Sequence, residues 1–305
     1  MGRGGTARGR DSAGPGATPR GTRHPPSPPA RTARPRRTGL PQRRAGPRSH
    51  GRAGTGMTLA TTAPTGPRNH ATPHGPRIAV HRLGVHFGRT IALHGVSFEA
   101  RRAERLAVIG PNGAGKSTLL ACLATLLTPQ DGRITHDGAL DGRAHRHTLR
   151  GRIGLVAHDV LVYAELTARE NLELYAGLHG RGPEAVDHWL DRVGLASAAH
   201  RAVGGFSRGM KQRLALARAL VHEPDLVLLD EPLTGLDRQG QAFLWELLDE
   251  LQAKQVLVLL VTHHLETSAE QFSRVLTIAR GRLRHDAPAT GTLADVYARA
   301  TGGNR

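Results

Sequence analysis

The sequence LAVIGPNGAGKSTLLACLATLL, residues 106–127, decides the fold. Its apolar start at 106–109 predicts a strand, the glycine-rich part at 110–115 predicts a loop, and 117–127 predicts an apolar helix. Residues 110–117 have the spacing G-x-x-x-x-G-K-[ST], in which backbone N–H groups curl around a polyphosphate. In such a loop Lys116 reaches the β and γ phosphates, and Ser117 ligates magnesium. The alternative is an ordinary glycine-rich turn. The candidate phosphate-binding residues are Gly110, Pro111, Asn112, Gly113, Ala114, Gly115, Lys116, Ser117 and Thr118.

The rest of the folded part alternates between strand and helix patterns. Aliphatic runs at 226–229 and 256–261 have the composition of strands buried on both faces, and they bracket an amphipathic helix with leucines at 244, 247, 248 and 251. This alternation predicts a parallel sheet covered by helices. Residues 78–85 and 91–98 are predicted strands around a turn at Gly88.

Between these segments the chain changes character. Strands are expected at Ile134 and at 153–156, with turn signals at Asp131-Gly132 and Asp137-Gly138. Thr167 and Glu170 form a capping-box pair that opens a helix, and Pro183 starts another. We interpret the aromatic residues of these helices as core rather than as a cofactor site.

The charge is concentrated at the start of the chain. The 305 residues carry a net charge of +17, and residues 1–56 alone hold thirteen Arg and one acid, Asp11. Residues 1–76 are rich in Arg, Pro and Gly and lack aromatic residues, which predicts a disordered extension. Three interpretations stay open: a tail that binds RNA or a membrane, a linker, and an untranslated segment before a true start at Met57.

Composition also excludes several classes of protein. The longest aliphatic run, 256–261, is far shorter than the roughly 20 apolar residues of a membrane-spanning helix. A single thiol, Cys122, excludes an internal disulfide framework and a four-cysteine zinc site. The sequence therefore predicts a protein of a reducing compartment.

Two acidic residues follow the apolar run at 226–229. An acid at the end of a strand beside a phosphate loop can hold the magnesium shell, and a second acid can polarise the attacking water. Asp230 is the candidate for the first role and Glu231 for the second. An ordinary strand-ending turn at Asp-Glu-Pro is the alternative.

Together with four further motifs, these residues resemble the nucleotide-binding subunit of ATP-binding cassette (ABC) transporters, from about Ile78 to Leu283. The resemblance implies a P-loop NTPase with a parallel sheet core, an N-terminal antiparallel β subdomain and a helical insert at about 160–220 that bears the signature loop. It places an ATP-binding domain at 77–305. The further motifs are Phe87 against the adenine, the signature 206–210 (FSRGM), Leu236-Asp237 in the D-loop, and the switch histidine His263.

The resemblance also implies a composite site for Mg-ATP between two head-to-tail subunits, a homodimer or a close paralogue. Ser207, Gly209 and Asp237 of one subunit then face the ATP held by the other. Ser207 can cap a helix whose N-terminus forms an anion site. His263 can hydrogen-bond the γ-phosphate and help to hold the water against Glu231.

Two positions depart from the family pattern. Arg208 and Met210 replace a Gly and a Gln of the usual Leu-Ser-Gly-Gly-Gln signature. His158 stands where the family generally has a Gln that reaches the magnesium and the attacking water, so it is both a metal and a catalytic candidate. An imidazole there has a different reach and a charge that changes near about pH 6.5.

His158, Tyr163, the segment 166–172 and the segment 206–213 are similar to the ATPase subunit of the haem exporter used in cytochrome c maturation. Exporters of drugs, lipids or polysaccharides share the Ser-x-Gly-Met-Lys-Gln-Arg form and are the alternative. The implied partner is a separate integral membrane permease, and the implied location is the cytoplasmic face of the cell membrane as a peripheral protein.

A nucleic-acid-directed cassette ATPase is the rival from another class, with the Arg-rich extension as its electrostatic footprint. Chromosome-associated members insert long coiled coils between the phosphate loop and the signature. Ser207 lies only 91 positions after Lys116 here, and the chain has one cassette rather than two. No nucleic acid is therefore expected as a partner.

Overall fold

The computed structural model describes residues 77–302. The predicted extension at 1–76 and the alternative start at Met57 lie outside that range. The strands of the described part are β1 Ile78–Phe87, β2 Thr90–Ala100, β3 Arg105–Ile109, β4 Asp131–His136, β5 Leu140–Asp141, β6 Ile153–Val156, β7 Leu226–Asp230, β8 Leu257–Val261, β9 Arg274–Ala279 and β10 Arg282–Pro288. The helices are α1 Lys116–Leu123, α2 Arg146–Arg150, α3 Ala168–Leu178, α4 Pro183–Arg192, α5 Arg208–Leu220, α6 Arg238–Ala253 and α7 Leu293–Thr301.

The strands form two sheets. An antiparallel sheet has the order β2-β1-β4-β5, and a six-stranded sheet has the order β10-β9-β3-β8-β7-β6. In the larger sheet the five strands from β9 to β6 pair in parallel, and β10 is antiparallel at one edge. Every residue of β3, β7 and β8 is buried, because helices or the other sheet cover both faces. The predicted fold class is confirmed.

Three helices between β6 and β7 pack around a separate apolar cluster. It includes Leu172 of α3, Leu190 of α4 and Leu214 of α5. The capping box predicted at the start of α3 is present in both directions, since Thr167 accepts from the Glu170 backbone and Glu170 accepts from the Thr167 backbone. The bounds of the insert as a unit of its own, about 160–220, stay a prediction.

Two local predictions are wrong. The helix that follows the phosphate loop ends at Leu123 and not at Leu127, because the N–H groups of Leu126 and Leu127 both bond the carbonyl of Ala121 and Thr125 adopts a φ of 60°. Residues 131–132 begin β4 instead of making a turn. A Cβ at Gly132 would lie 2.2 Å from a carbonyl oxygen of β1, so glycine there permits close pairing of the strands.

Buried charges connect the two sheets at the end of the molecule where β1 begins. Arg77 is fully buried and pairs with Asp137, which follows β4, and with Asp225, which precedes β7. Arg152 bridges the same two carboxylates at 2.8 and 2.7 Å. Paired charges of this kind satisfy one another where water is excluded.

None of the helices within residues 77–302 has the length and apolarity needed to cross a lipid bilayer.

Candidate functional site

The phosphate loop runs from the end of β3 to the start of α1. A Cβ at Gly110 would lie 2.0 Å from the carbonyl oxygen of Ile278, and one at Gly115 would lie 2.4 Å from that of Ala92. Both glycines also have positive φ angles, 152° and 105°. The loop therefore requires glycine at each end, where it passes neighbouring backbone.

The middle of the loop faces outward. Pro111, Asn112 and Gly113 are exposed, whereas Ala114 is buried and its carbonyl accepts a hydrogen bond from Gly281. The buried Ala114 thus anchors a turn whose exposed face is open to a ligand.

Lys116 bends back over this loop. Its Nζ donates to the carbonyl oxygens of Gly110 at 2.9 Å and Pro111 at 3.1 Å. Burial lowers the pKa of Lys116, and the charges of Glu231 and Asp230 oppose that shift. Within residues 77–302 these two carbonyl oxygens are the hydrogen-bond partners of its Nζ. A buried ammonium group held only by carbonyls is prepared to bind an anion.

Asp230 ends β7 beside the first turn of α1. Burial raises the pKa of Asp230, as does the charge of Glu231, while hydrogen bonding from Ser117 and the charges of His158 and Lys116 act in the opposite direction. The structure therefore brings together the groups that the sequence assigns to phosphate and metal. Thr118 follows Ser117 in α1 and is half-buried.

The donor set at this position fits a magnesium ion. The Ser117 hydroxyl and the Asp230 carboxylate are hard oxygen ligands of the kind that Mg²⁺ prefers. A buried carboxylate whose pKa is raised by burial gains its charged form when a cation comes close. His158, the other predicted ligand, is an exposed residue after β6 and would offer a ring nitrogen, which Mg²⁺ favours less than oxygen.

Glu231 and His263 are in direct contact. Glu231 Oε2 lies 2.8 Å from His263 Nδ1 and also accepts a hydrogen bond from the His263 backbone N–H at 3.3 Å. The Glu231 side chain is 11% exposed and that of His263 is 57% exposed. The backbone of Glu231 has a φ of 54°, and its N–H donates to the carbonyl of Val261. This carboxylate can accept a proton from a water molecule at the edge of the sheet.

The signature residues lie at the start of α5. Ser207 is the N-cap, and its Oγ accepts from the Met210 N–H at 3.2 Å. Gly209 lies near the carbonyl of Gly235, which a Cβ would approach to 3.1 Å. Inside the protein, Gln212 donates to the carbonyl of Pro232 at 3.3 Å, which ties α5 to the segment after Glu231.

Asp237 and Phe87 are the two remaining residues predicted to contact ATP, and both lie outside the phosphate loop. Asp237 caps α6 by accepting from the Gly240 N–H at 2.8 Å, a structural role that the sequence interpretation did not include. Phe87 ends β1 with 55% of its surface exposed, as expected of an aromatic ring available for stacking.

His264 is the residue that sequence reasoning missed. Its ring stacks on that of His263 with centroids 4.5 Å apart, and its Nδ1 lies 3.1 Å from Glu266 Oε1. The sequence signal that could have identified it is the pair His263-His264, two consecutive histidines after a buried strand.

Comparisons with known proteins agree with this geometry. The model of the ABC transporter family matches residues 93–234. The chain is 39% identical over 223 residues to the daunorubicin resistance ATP-binding protein DrrA3 of Streptomyces coeruleorubidus, covering 72% of this chain and 69% of the relative. It is 36% identical over 211 residues to the ABC transporter ATP-binding protein NatA of Bacillus subtilis, covering 68% and 84%.

Solved structures give the same result. An ATP-binding subunit of an ABC transporter superposes with a TM-score of 0.68 at 28% identity, covering 73% of this chain and 99% of the other. A dimeric ATP-binding cassette in a post-hydrolysis state, bound to ADP and Pi, superposes with a TM-score of 0.63 at 26% identity, covering 70% and 99%.

Proposed function

Because the chain belongs to the ABC transporter family, as an ATP-hydrolysing cassette, we propose that it drives export through a separate integral membrane permease. The observation that carries this proposal is the meeting of Lys116, Asp230 and Glu231 at the carboxyl edge of the parallel sheet, where burial lowers the pKa of the lysine and the charge of each acid opposes that shift. A phosphate loop facing two acids is the arrangement that nucleotide hydrolysis needs.

The residues divide into binding and chemical roles. The loop 110–115 and Lys116 hold the phosphates of ATP, and Phe87 stacks on the adenine. Ser117 and Asp230 would hold Mg²⁺, with the imidazole of His158 as a further candidate ligand, and the bound ion would neutralise charge on the phosphate oxygens. Glu231 takes the proton of the attacking water, and His263, held by that carboxylate, positions the water and contacts the γ-phosphate.

A second cassette completes the site. Ser207 and Gly209 place the N-terminus of α5, a region of positive partial charge, on the outside of the insert. In a head-to-tail pair this terminus, together with Asp237, faces the γ-phosphate of the other subunit. Similarity to a dimeric cassette bound to ADP and Pi supports this arrangement.

For the cargo, we favour a small molecule of the drug-resistance or Nod factor kind. Similar proteins are named for daunorubicin resistance, for linearmycin resistance and for Nod factor export. Haem export for cytochrome c maturation is the second candidate. It is supported by sequence similarity at His158, Tyr163 and the segments 166–172 and 206–213. With either cargo the cassette works at the cytoplasmic face of the membrane.

Three measurements test the proposal. Purified protein should bind ATP with Mg²⁺, and absence of adenine-nucleotide binding would overturn the ATPase assignment. The integral membrane protein that co-purifies with the chain then decides the cargo: a permease of the drug or lipid type supports the first candidate, and one of the cytochrome-maturation type supports the second. Salt-sensitive RNA binding by residues 57–305 would instead favour the nucleic-acid rival.

A further inference from the structure

Three side chains at the edge of the sheet form a cluster with the composition of a metal site. One carboxylate oxygen of Glu231 and one ring nitrogen each of His263 and His264 lie within 4.8 Å of one another. It is the one group of three or more His, Cys, Asp or Glu residues with this spacing found within residues 77–302. ATP hydrolysis as described above uses the first two residues and leaves His264 without a role.

The surroundings of His264 favour a metal ligand. Its Nδ1 lies 3.1 Å from Glu266 Oε1, and its Nε2 is shielded from solvent and has no hydrogen-bond partner in the described part of the chain. A histidine that donates one ring N–H to a carboxylate is oriented and made more basic at the other nitrogen, the arrangement typical of metal-binding histidines. The unpartnered Nε2 is therefore the nitrogen available to an ion.

The ligand chemistry selects the kind of ion. Two imidazoles and a carboxylate suit Zn²⁺ and its neighbours Co²⁺ and Ni²⁺, whereas Mg²⁺ prefers oxygen ligands. With Zn–ligand distances of about 2.1 Å, tetrahedral ligand atoms lie about 3.4 Å apart. The Glu231 oxygen and His263 Nδ1 are 2.8 Å apart and all three ligand atoms lie within 4.8 Å of one another, so shifts of roughly 1 Å bring the cluster to this spacing.

We propose that Glu231, His263 and His264 form a binding site for a borderline transition-metal dication such as Zn²⁺, distinct from the magnesium position at Ser117 and Asp230. An ion held there occupies the carboxylate that takes the proton from water and the imidazole that positions it. Zn²⁺ therefore inhibits ATP hydrolysis. The inhibition rests on the proposed function, whereas binding of the ion does not.

The binding test uses the full chain without nucleotide. Co²⁺ is titrated as a spectroscopic probe, and Zn²⁺ from a metal buffer displaces it. Because the chain has 18 His, the test depends on variants. His264→Asn should weaken Co²⁺ and Zn²⁺ binding by at least about tenfold, since one ligand is lost. His188→Asn, which removes an exposed histidine of α4, is the matched control and should leave both affinities unchanged.

Further variants keep the test decisive. If His264→Asn does not fold, Glu231→Gln removes the carboxylate ligand and should weaken binding to a similar degree. Equal Zn²⁺ affinity in wild type and in the folded ligand variant, or equal losses in the ligand variant and in His188→Asn, overturns the site.

The functional test measures ATPase activity in saturating Mg-ATP at fixed free Zn²⁺. Wild type should be inhibited and should recover when a chelator is added. His264→Asn should need at least about tenfold more free Zn²⁺ for the same inhibition. If neither the wild type nor any variant hydrolyses ATP, the proposed function fails. The Co²⁺ titration alone then decides whether the metal site exists. Equal inhibition of wild type and His264→Asn overturns the inhibitory role.

Discussion

Glu231 and His263 are 32 residues apart in sequence, and their side chains meet at 2.8 Å. The register of the sheet explains the contact. Asp230 of β7 is paired in parallel with Val261 of β8, so the residues that follow both strands leave the same edge. The left-handed backbone of Glu231, with a φ of 54°, is an unusual conformation for a non-glycine residue and is typical of a functional site.

Replacing the proposed base should separate binding from hydrolysis. Glu231→Gln keeps the size of the side chain and removes its capacity to take a proton. We expect ATP hydrolysis to fall by about 10²–10⁴-fold, with ATP affinity little changed. Phosphate release and equilibrium nucleotide binding measure the two effects. Glu246→Gln makes the same chemical change at an exposed glutamate of α6 and serves as control. Sustained hydrolysis by Glu231→Gln would remove Glu231 from the role of base.

Ser207 should matter beyond its structural role as a cap. Ser207→Ala and Thr167→Ala each remove the N-cap of a helix in the same insert, α5 or α3, and each should cost about 1 kcal/mol of stability. Of the two caps, only Ser207 lies at the helix terminus that we propose faces the ATP of the other subunit. ATP-driven dimerisation and ATPase activity should therefore fall in Ser207→Ala and be retained in Thr167→Ala, as measured by light scattering and phosphate release. An equal loss of dimerisation and ATPase activity in both variants would show that Ser207 acts only as a helix cap.

Gly115 should be needed for folding of the loop, and Lys116 for binding. In Gly115→Ala the new Cβ would lie 2.4 Å from the Ala92 carbonyl at a φ of 105°, so we expect a loss of a few kcal/mol and a lower Tm. Lys116→Met removes the ammonium but keeps the aliphatic stem, so the Tm should change little while ATP binding is lost. Thermal melts without nucleotide, paired with binding titrations, check both. A normal Tm in Gly115→Ala would contradict the close approach.

Stability should fall in mild acid because of His136. Burial, and then the charge of Arg77, lower the pKa of His136 to about 4, and neither ring nitrogen has a partner in the described structure. Above about pH 6.5 the residue is neutral in both the folded and the unfolded chain. Between about pH 6.5 and 4 the unfolded chain binds the extra proton, so stability declines as the pH falls, by up to about 3 kcal/mol.

His136→Leu, a change to an apolar side chain of similar size, should reduce this acid loss. Urea unfolding at pH 7.5, 5.5 and 4.5 measures the free energy of unfolding for both proteins. The wild type and the variant should differ most at the lowest pH. His222 also has a pKa lowered to about 4, chiefly by burial, so part of the acid loss should remain. Parallel pH dependences of wild type and His136→Leu would exclude the effect.

Much of the fold follows from local sequence patterns. Glycine spacing at 110–115, the aliphatic runs of β7 and β8 and the capping box before α3 each predict structure, because they depend on residues close together in the chain. The early end of α1 was not predicted, because the apolar pattern does not encode the left-handed Thr125 or the bonds of Leu126 and Leu127 to Ala121. The pairing of β4 at residues 131–132 was not predicted, because it depends on the close approach of β1.

The sequence by itself determined the phosphate loop, the acids after β7 and the alternation of strands and helices, since residue type and spacing carry that information. Only the tertiary structure decided that Glu231 bonds His263 and that the stacked rings of His263 and His264 lie beside that carboxylate. The physical reason is register: parallel strands distant in sequence end at one edge, and pairing across the sheet sets which side chains meet there.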